Sequence, residues 1–293
     1  MHLFKVASLI VLSVAAGCSL PPHKTPVVPP LEARRPKRIV SLDFCADQYV
    51  LKLAERGDIL ALSMDATSDF SYMRDEAKGM KTVRSTAEDV LALNPDLIVR
   101  SYGGGPNAKA FFERAGVKVH QIASSNDFED LRQTARDAAT AFAQTARGEA
   151  VVADFDQRLA AIKPASGVTA LYMTPSGITT GPGSMVDLMM TRAGLTNFET
   201  QKGWNQLPLE TLALKKPDMA VTAFFQDTTI GRDNWSSARH PVAMNIMRQL
   251  PLAALDGSTI SCGGWFVVDA VEALAAKGRA VQAHKQVPAR DNP

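Results

Sequence analysis

The chain has 293 residues, of which 46% are hydrophobic and 21% are charged, and this composition is typical of a globular protein. It excludes wholesale disorder and a fibrous structure. The 32 basic side chains nearly balance the 30 acidic ones, so the sequence lacks the cationic excess of a nucleic-acid-binding protein. The only apolar run that could meet a membrane, residues 6–17, is too short to span about 30 Å of hydrocarbon as a helix.

The first residues have the pattern of an export signal. Lys5 precedes an apolar stretch, and the small residues Ala15, Ala16 and Gly17 stand directly before Cys18. The ending Ala-Ala-Gly-Cys resembles a bacterial lipobox, although Leu is commoner than Ala at its first position. That resemblance implies that Cys18 is the lipidated first residue of a periplasmic, membrane-anchored lipoprotein. The alternative is an ordinary cleaved signal peptide with an incidental cysteine.

A proline-rich segment follows the signal peptide of residues 1–18. Six of the 18 residues from 19 to 36 are proline, and such a segment favours extended polyproline II at ~3.1 Å per residue. We expect residues 19–36 to be a tether that holds a folded body off a membrane. The last ten residues, 284–293, are predicted to be a frayed tail.

The body begins with alternating strands and helices. The predicted elements in chain order are a strand at 39–42, a helix at 46–54, a strand at 59–62, a helix opened by the capping-box-like residues 86–89, a strand at 96–101, a helix at 108–115 and a strand at 117–122. Such alternation predicts a parallel sheet that is covered by helices.

The pattern changes in the middle of the chain and then resumes. Residues 127–163 contain one glycine and no proline, and their periodicity predicts two consecutive helices, the second about 18 residues long. Beyond Pro164 the alternation continues with a strand at 168–173, a helix at 184–193, a segment at 209–214 and a strand at 218–223.

A short sequence recurs at a spacing of 122 residues. The segment from Glu88 to Val99 aligns with the segment from Glu210 to Val221, with Glu, Pro, Asp and Val in common. Both copies have a helix, a proline and a strand, which favours two related halves. The alternative is that this order of elements is simply common in α/β proteins.

These features together resemble one protein family. The opening RIVSLDFCADQYVLKLAERGDILALS, the two Glu…Pro-Asp elements and the mid-chain helix resemble the periplasmic iron-complex and vitamin B12 binding proteins of ABC importers, over residues 37–280. The resemblance implies an α/β fold of two Rossmann-like lobes with parallel sheets, joined by a single long backbone helix. It places the N-terminal lobe at 37–144, the connecting helix at 145–163 and the C-terminal lobe at 164–283.

The resemblance also implies a function. The protein would capture a metal-containing chelate in the cleft between the lobes and deliver it to an ABC permease in the inner membrane. The chelate would be cobalamin or another corrinoid, haem or a ferric siderophore, and the near-neutral charge of the chain weakens the case for a highly anionic siderophore. We expect a monomer that has no cofactor of its own and binds no nucleic acid.

Two carboxylates match the permease-docking positions of the family. They are Glu88 and Glu210, the first residues of the repeated segment. Two separated anions on one face would orient and steer a cationic partner. For each of them alone, a favourable position at the start of a helix is the alternative explanation.

Ligand contacts are expected in the loops that follow the strands, where parallel sheets open. Aromatic residues are concentrated in these loops, and flat aromatic walls suit a macrocycle or an aromatic chelate. The predicted ligand-binding residues are Cys45, Tyr72, Tyr102, Trp204, Phe225, Trp235, Cys262 and Trp265. Local burial is the alternative for each aromatic residue among them.

Cys45 and Cys262 follow the predicted first and last strands, so both could face the cleft. Three interpretations stay open for them. They are buried small hydrophobic residues, or ligands to a metal in the bound chelate, or a disulfide that would tie the lobes together and restrict closure.

Other classes of protein lack their motifs in this sequence. Within the predicted body the only histidines are His120 and His240, which argues against a receptor for a bare metal ion. Residues 103–108 match a degenerate dinucleotide fingerprint, but Pro106 and the export signal argue against a nicotinamide cofactor. We therefore expect no enzyme. The remaining alternatives are a periplasmic sensor or adaptor with the same fold and, less favoured, an α/β enzyme on a two-lobed scaffold.

Overall fold

The computed structural model describes residues 35–225 and 236–286. The predicted signal peptide with Cys18, almost all of the tether and the predicted ligand residue Trp235 lie outside the described residues. The described residues form one compact unit. Within the two described stretches, none of the helices combines the length and the apolar character that a membrane crossing needs.

Five parallel strands form the sheet of the first lobe, in the spatial order β3-β2-β1-β4-β5. They are β1 (Ile39–Ser41), β2 (Ile59–Ser63), β3 (Thr82–Val83), β4 (Leu97–Arg100) and β5 (Lys118–Gln121). The strands β1 and β4 are buried along their whole length, as expected for central strands covered on both faces. The connecting helices are α1 (Phe44–Leu53), α2 (Arg74–Ala77), α3 (Ala87–Leu91) and α4 (Ala108–Arg114).

Two helices follow, α5 (Phe128–Ala141) and α6 (Thr145–Ala161), and they pack against each other. Gly148 of α6 faces Ala139 of α5, where any larger side chain would collide with the Ala139 methyl group. At 1.5 Å per residue, the 17 residues of α6 span about 25 Å. This helix is the single long backbone helix of the predicted fold.

Four parallel strands form the sheet of the second lobe, in the order β11-β10-β6-β8. They are β6 (Val168–Met173), β8 (Leu195–Asn197), β10 (Met219–Ala223) and β11 (Leu252–Leu255), and an antiparallel pair, β7 (Ile178–Thr180) and β9 (Trp204–Gln206), stands apart from them. The helices are α7 (Met185–Arg192), α8 (Leu209–Leu214), α9 (Pro241–Gln249) and α10 (Val267–Gln286). Because α10 continues to Gln286, the first three residues of the predicted tail are helical.

One apolar core is continuous between the two lobes. Tyr49 of α1, Phe155 of α6, Tyr172 of β6 and Phe266 are at most 2% exposed and belong to the same buried cluster. Two smaller clusters cover the other faces of the sheets, one in each lobe.

The sheets and helices together confirm the predicted α/β fold, with two parallel-sheet lobes and one long backbone helix.

The repeated segment occupies the same kind of element in both lobes. Helix α3 leads through Pro95 into β4, and α8 leads through Pro217 into β10. Both strands are completely buried. The two copies therefore present the starts of α3 and α8 at equivalent places in the two lobes.

Candidate functional site

Aromatic side chains meet where loops leave the carboxyl ends of the strands. Phe44 comes shortly after β1, Phe70 after β2, Tyr102 after β4 and Phe224 directly after β10. The ring centroids lie 6.0 Å apart for Tyr102 and Phe44, 6.1 Å for Phe44 and Phe70, and 5.9 Å for Phe70 and Phe224. We call these four residues the aromatic row. Because Phe224 alone belongs to the second lobe, the row crosses from one lobe to the other.

The aromatic row borders a cavity between the lobes. This cavity has a volume of about 210 Å³ and is lined by Asp69, Phe70, Arg74, Phe224, Leu255, Asp256 and Gly257. Tyr102, at one end of the row, is 53% exposed, and Phe225, next to its other end, is 40% exposed. Both are predicted ligand-binding residues, and exposed rings at a concave site can cover a flat apolar ligand.

Asp43 holds the loop that carries Tyr102. Its Oδ1 atom caps α1 by accepting the N–H of Ala46 at 2.9 Å. Its Oδ2 atom accepts the backbone N–H groups of Ser101, Tyr102 and Gly103 at 2.7, 3.0 and 2.8 Å. Burial and the nearby negative charge of Asp43 raise the pKa of the Tyr102 hydroxyl, so this ring is uncharged at physiological pH.

Phe224 is held in an uncommon backbone conformation. Its φ angle is 66°, which bulky side chains rarely adopt. Its ring packs on Gly257, where a Cβ atom would come within 2.5 Å of the ring. Conformations of this kind persist only where the surrounding structure enforces them, and they are concentrated at functional sites. Phe70 and Phe224 are not among the predicted residues, although their positions after β2 and β10 are a signal that could have identified them.

A disulfide bond joins the two lobes beside the aromatic row. Cys45, the residue after Phe44, is bonded to Cys262, and their Cα atoms are 5.5 Å apart. Of the three interpretations left open for these cysteines, the structure therefore supports the third, a disulfide that ties the lobes together. The interpretation of Cys45 and Cys262 as metal ligands is corrected, because a disulfide sulfur lacks the thiolate charge that ligates a metal.

Two hydrogen bonds cross the same joint between the lobes. The Tyr49 hydroxyl donates to the carbonyl oxygen of Gly263 at 2.9 Å, and the Ser261 hydroxyl donates to the carbonyl oxygen of Phe70 at 2.8 Å. Both acceptors are backbone oxygens, so these hydrogen bonds hold the backbone of one lobe against the other. The second bond also anchors the residue that carries one ring of the aromatic row.

Trp265 packs into this joint and is buried there, which corrects its prediction as a ligand contact. Tyr72 packs into the same joint but is only half-buried, so its contact with the ligand stays a prediction. Tyr72 stacks on Phe266 with the ring centroids 4.5 Å apart, and its hydroxyl donates to Asp269 Oδ2 at 2.7 Å. Trp265 is 8% exposed and lies edge-on to Tyr49 at 5.4 Å. The Trp265 ring is therefore buried between the lobes and offers no free face to a ligand.

Trp204 lies in strand β9 of the antiparallel pair, not in a loop as predicted. It is 62% exposed and packs edge-on against Tyr172, with the ring centroids 6.2 Å apart. A face of the indole ring is therefore free to bind a ligand. None of the ring contacts among the described residues links Trp204 to the aromatic row.

The charges around the cavity are partly paired across the lobes. Arg74 of α2 lies 3.3 Å from Asp256, which follows β11. Burial opposes ionisation of Asp256, but hydrogen bonds from Ser258 and the charge of Arg74 outweigh it and keep the pKa of this carboxyl below its ordinary value. Asp69 adds a second carboxylate to the lining. Among the described residues that line the cavity, Arg74 is the single cation.

Glu88 and Glu210 occupy the first turns of α3 and α8 and are both exposed. In α3, the Thr86 hydroxyl accepts the N–H of Asp89, so the start of the helix is capped without Glu88. The carboxylate of Glu88 is thus not needed for capping. Glu210 stands at the equivalent position of the second lobe.

Histidines and metal-ligand clusters do not define a site in the described part of the chain. No group of three or more His, Cys, Asp and Glu side chains suited to a metal ion occurs there. His120 on β5 packs edge-on to Phe142, and its burial lowers its pKa. His240 caps α9 by accepting the N–H of Val242 at 3.3 Å.

Comparison with known proteins identifies relatives of this architecture. A model of the periplasmic binding protein family matches residues 39–227, more than half of the chain. The periplasmic heme-binding protein RhuT from Roseiflexus sp. RS-1 has a similar structure, with a TM-score of 0.67 and 22% sequence identity over 84% of this chain and 99% of that chain. A search of curated proteins finds no match.

Two further solved structures resemble the chain over most of its length. A periplasmic heme-binding protein from Pseudomonas aeruginosa has a TM-score of 0.59 and 24% identity, over 85% of this chain and 93% of that chain. The periplasmic vitamin B12 binding protein BtuF of Vibrio cholerae has a TM-score of 0.59 and 19% identity, over 85% of this chain and 98% of that chain. At these identities the likeness establishes a shared fold.

Proposed function

The chain belongs to the periplasmic binding protein family, and we propose that it captures a metal-containing chelate in the cleft between its lobes and delivers it to an ABC permease. Members of this family are substrate-binding proteins of transporters and not enzymes. The family implies a periplasmic location. The observation that carries the proposal is the aromatic row, which offers apolar ring surface to a ligand at the opening of both sheets.

The chemistry of the cleft favours a flat macrocycle. Tyr102, at one end of the aromatic row, and Phe225, next to its other end, are both exposed, and so is the indole ring of Trp204. Rings of this size bind other flat conjugated systems by stacking and by removing apolar surface from water. Relatives of this fold include proteins described as binding heme and vitamin B12, both of which are large metal-containing macrocycles. Cobalamin or another corrinoid and haem are therefore the ligands to test first, with a ferric siderophore as the third class.

Delivery would use the two lobes together. Glu88 and Glu210 are exposed at equivalent helix starts, so they offer one anionic contact in each lobe to a cationic surface of the permease. A lipid on Cys18 would keep a monomeric receptor close to the membrane, and residues 19–36 would serve as its tether. The anchor would raise the effective concentration of the receptor at the permease.

Titration with candidate ligands tests the proposal. The purified protein is titrated with cobalamin, haemin and a ferric hydroxamate, while tryptophan fluorescence and the ligand absorbance are recorded. We expect saturable one-to-one binding of one ligand, weakened about tenfold by Tyr102→Ala and by Trp204→Ala. Phe111→Ala is the matched control, because Phe111 is 42% exposed on α4 and outside the aromatic row. A folded protein that binds none of the three ligands would refute the chelate assignment.

A further inference from the structure

The disulfide lies directly beside the aromatic row of the proposed ligand site. Cys45 is in the first turn of α1, directly after Phe44, which contacts both Tyr102 and Phe70. Cys262 belongs to the segment between β11 and α10 in the second lobe. The two cysteines are separated by 217 residues in the sequence. Their bond therefore connects the two lobes beside Phe44, one of the four rings of the aromatic row.

The aromatic row is complete only if the lobes keep their spacing. Tyr102, Phe44 and Phe70 are carried by the first lobe, and Phe224 is carried by the second. The contact between Phe70 and Phe224, at 5.9 Å, is the one ring contact of the row that spans the lobes. Ring contacts weaken steeply as the rings separate, so this contact depends on how firmly the lobes are joined.

The segment that carries Cys262 also supports the row directly. Ser261, its neighbour, donates its hydroxyl hydrogen bond to the backbone oxygen of Phe70. Gly257, in the same segment, receives the ring of Phe224. One short stretch of the second lobe thus contacts the backbone of Phe70 and the ring of Phe224, and the disulfide bonds that stretch to the residue after Phe44.

We infer that the Cys45–Cys262 disulfide is a positioning element of the ligand site, which keeps the aromatic row assembled before the ligand arrives. This inference rests on the proposed function, because it assigns the aromatic row to ligand binding. A covalently fixed row offers the ligand a preformed floor, so little ordering is needed on binding. When the bond is absent, part of the binding free energy must be used to bring Phe224 back to Phe70, and the affinity falls.

The kinetics of binding separate this role from a merely structural one. With a preformed floor, the observed association rate rises linearly with ligand concentration. If the lobes must first come together, the rate reaches a plateau that is set by this rearrangement. Loss of fold stability alone would produce no plateau in a protein that is still folded.

The test compares oxidised protein with protein that lacks the bond, using haemin and cobalamin as probes. The full chain is exported, purified in detergent and studied by stopped-flow fluorescence as wild type and as Cys45→Ser/Cys262→Ser. We expect the double variant to bind the probe about tenfold more weakly and to show the plateau. Tyr49→Phe is the matched control, because it removes a hydrogen bond from the same joint while leaving the row untouched. We expect it to bind as the wild type does.

Reduction of the native protein provides the second arm. A water-soluble phosphine reduces the disulfide to two thiols, and it becomes the phosphine oxide as one water molecule supplies the oxygen atom and the two thiol hydrogens. Circular dichroism verifies that the protein is still folded. Reduced wild type is expected to reproduce the weaker affinity even if the double variant folds poorly. Folded protein that binds the probe within twofold of the oxidised form would overturn this inference and leave the proposed function standing. Oxidised wild type that binds neither probe and also fails to bind a ferric hydroxamate would instead refute the proposed function, and with it the role assigned here.

Discussion

The Oδ2 atom of Asp43 accepts the backbone N–H of Tyr102 at 3.0 Å, so a side chain at the start of α1 fixes the loop after β4. The same oxygen accepts the N–H groups on either side of Tyr102. Three donors converge on one carboxylate oxygen that is buried from water. Asp43, in the connection between β1 and α1, thereby fixes the loop that carries the exposed ring of Tyr102.

Asp43→Asn is expected to loosen the loop that carries Tyr102. The amide of Asn has a single acceptor oxygen, so it cannot both cap α1 and accept the three N–H groups of the loop. Unsatisfied buried donors cost about 1–3 kcal/mol. We expect the free energy of unfolding in urea to fall by about this amount and the affinity for the ligand to fall with it. Asp127→Asn is the control, because Asp127 caps α5 and makes no contact with this loop. Unchanged affinity in a destabilised Asp43→Asn variant would argue against a role of this loop in ligand binding.

Gly257→Ala is expected to displace the ring of Phe224. The added methyl group would lie 2.5 Å from that ring, which is closer than packing allows. Overpacking of this kind costs about 1–3 kcal/mol. We expect a lower melting temperature together with weaker ligand binding. Gly57→Ala is the matched control, since nothing lies within 4 Å of the added methyl group there. Equal ligand affinity in the two variants would show that Phe224 does not contribute to binding.

The fold could be predicted where local sequence patterns decide the structure. Strand β6 has the predicted bounds of 168–173, and α7 lies within one residue of the predicted helix at each end. Strand β6 is marked by its apolar residues, and α7 is marked by apolar residues at the helical period and by a capping residue before it. The short strands β3, β7 and β8 carry no such signal, because two or three residues cannot display a period.

The candidate site was harder to predict because it depends on contacts between distant residues. The sequence predicts aromatic side chains in the loops after the strands, and their contact with a ligand stays a prediction. Their sequence does not distinguish Tyr102, which is exposed, from Trp265, which is buried against Tyr49. Equally, no local pattern reveals the left-handed backbone of Phe224 or the pairing of cysteines 217 residues apart. These features follow only from how the two lobes meet.

Asp47 is expected to make stability depend on pH. Burial on α1 raises its pKa to about 6, although hydrogen bonds from Ser41 and Ser63 oppose the rise. The folded protein therefore holds this proton more tightly than the unfolded chain, whose aspartate has the ordinary pKa of 3.8. The contribution to stability is fully present below about pH 4 and is lost as the pH rises to about 6, by a total of roughly 3 kcal/mol.

Urea unfolding of Asp47→Asn isolates this effect. Asn can accept the N–H of Ser63 and donate to its hydroxyl without ionising. Relative to the variant, the wild type should therefore lose stability between about pH 4 and pH 6.5. Asp154→Asn, at an exposed position of α6, should show no such difference. A constant difference between wild type and Asp47→Asn across this range would contradict the assignment.

Charge reversal at Glu88 and Glu210 is expected to impair delivery without affecting capture. The two carboxylates are exposed at the starts of α3 and α8 and belong neither to the aromatic row nor to the lining of the cavity, so Glu88→Lys and Glu210→Lys should leave ligand affinity unchanged. Contact with a cationic partner would become repulsive at each site.

The measurement is ligand-stimulated ATP hydrolysis in inner-membrane vesicles that contain the permease. We expect about a tenfold higher half-maximal receptor concentration for each single variant and no stimulation by the double variant. Asp154→Lys makes the same change of charge on α6 and should behave as the wild type does. If the double variant binds ligand and still stimulates hydrolysis fully, the permease recognises another surface. If wild type binds ligand and never stimulates hydrolysis, the cleft serves a sensor or adaptor, because capture then occurs without delivery.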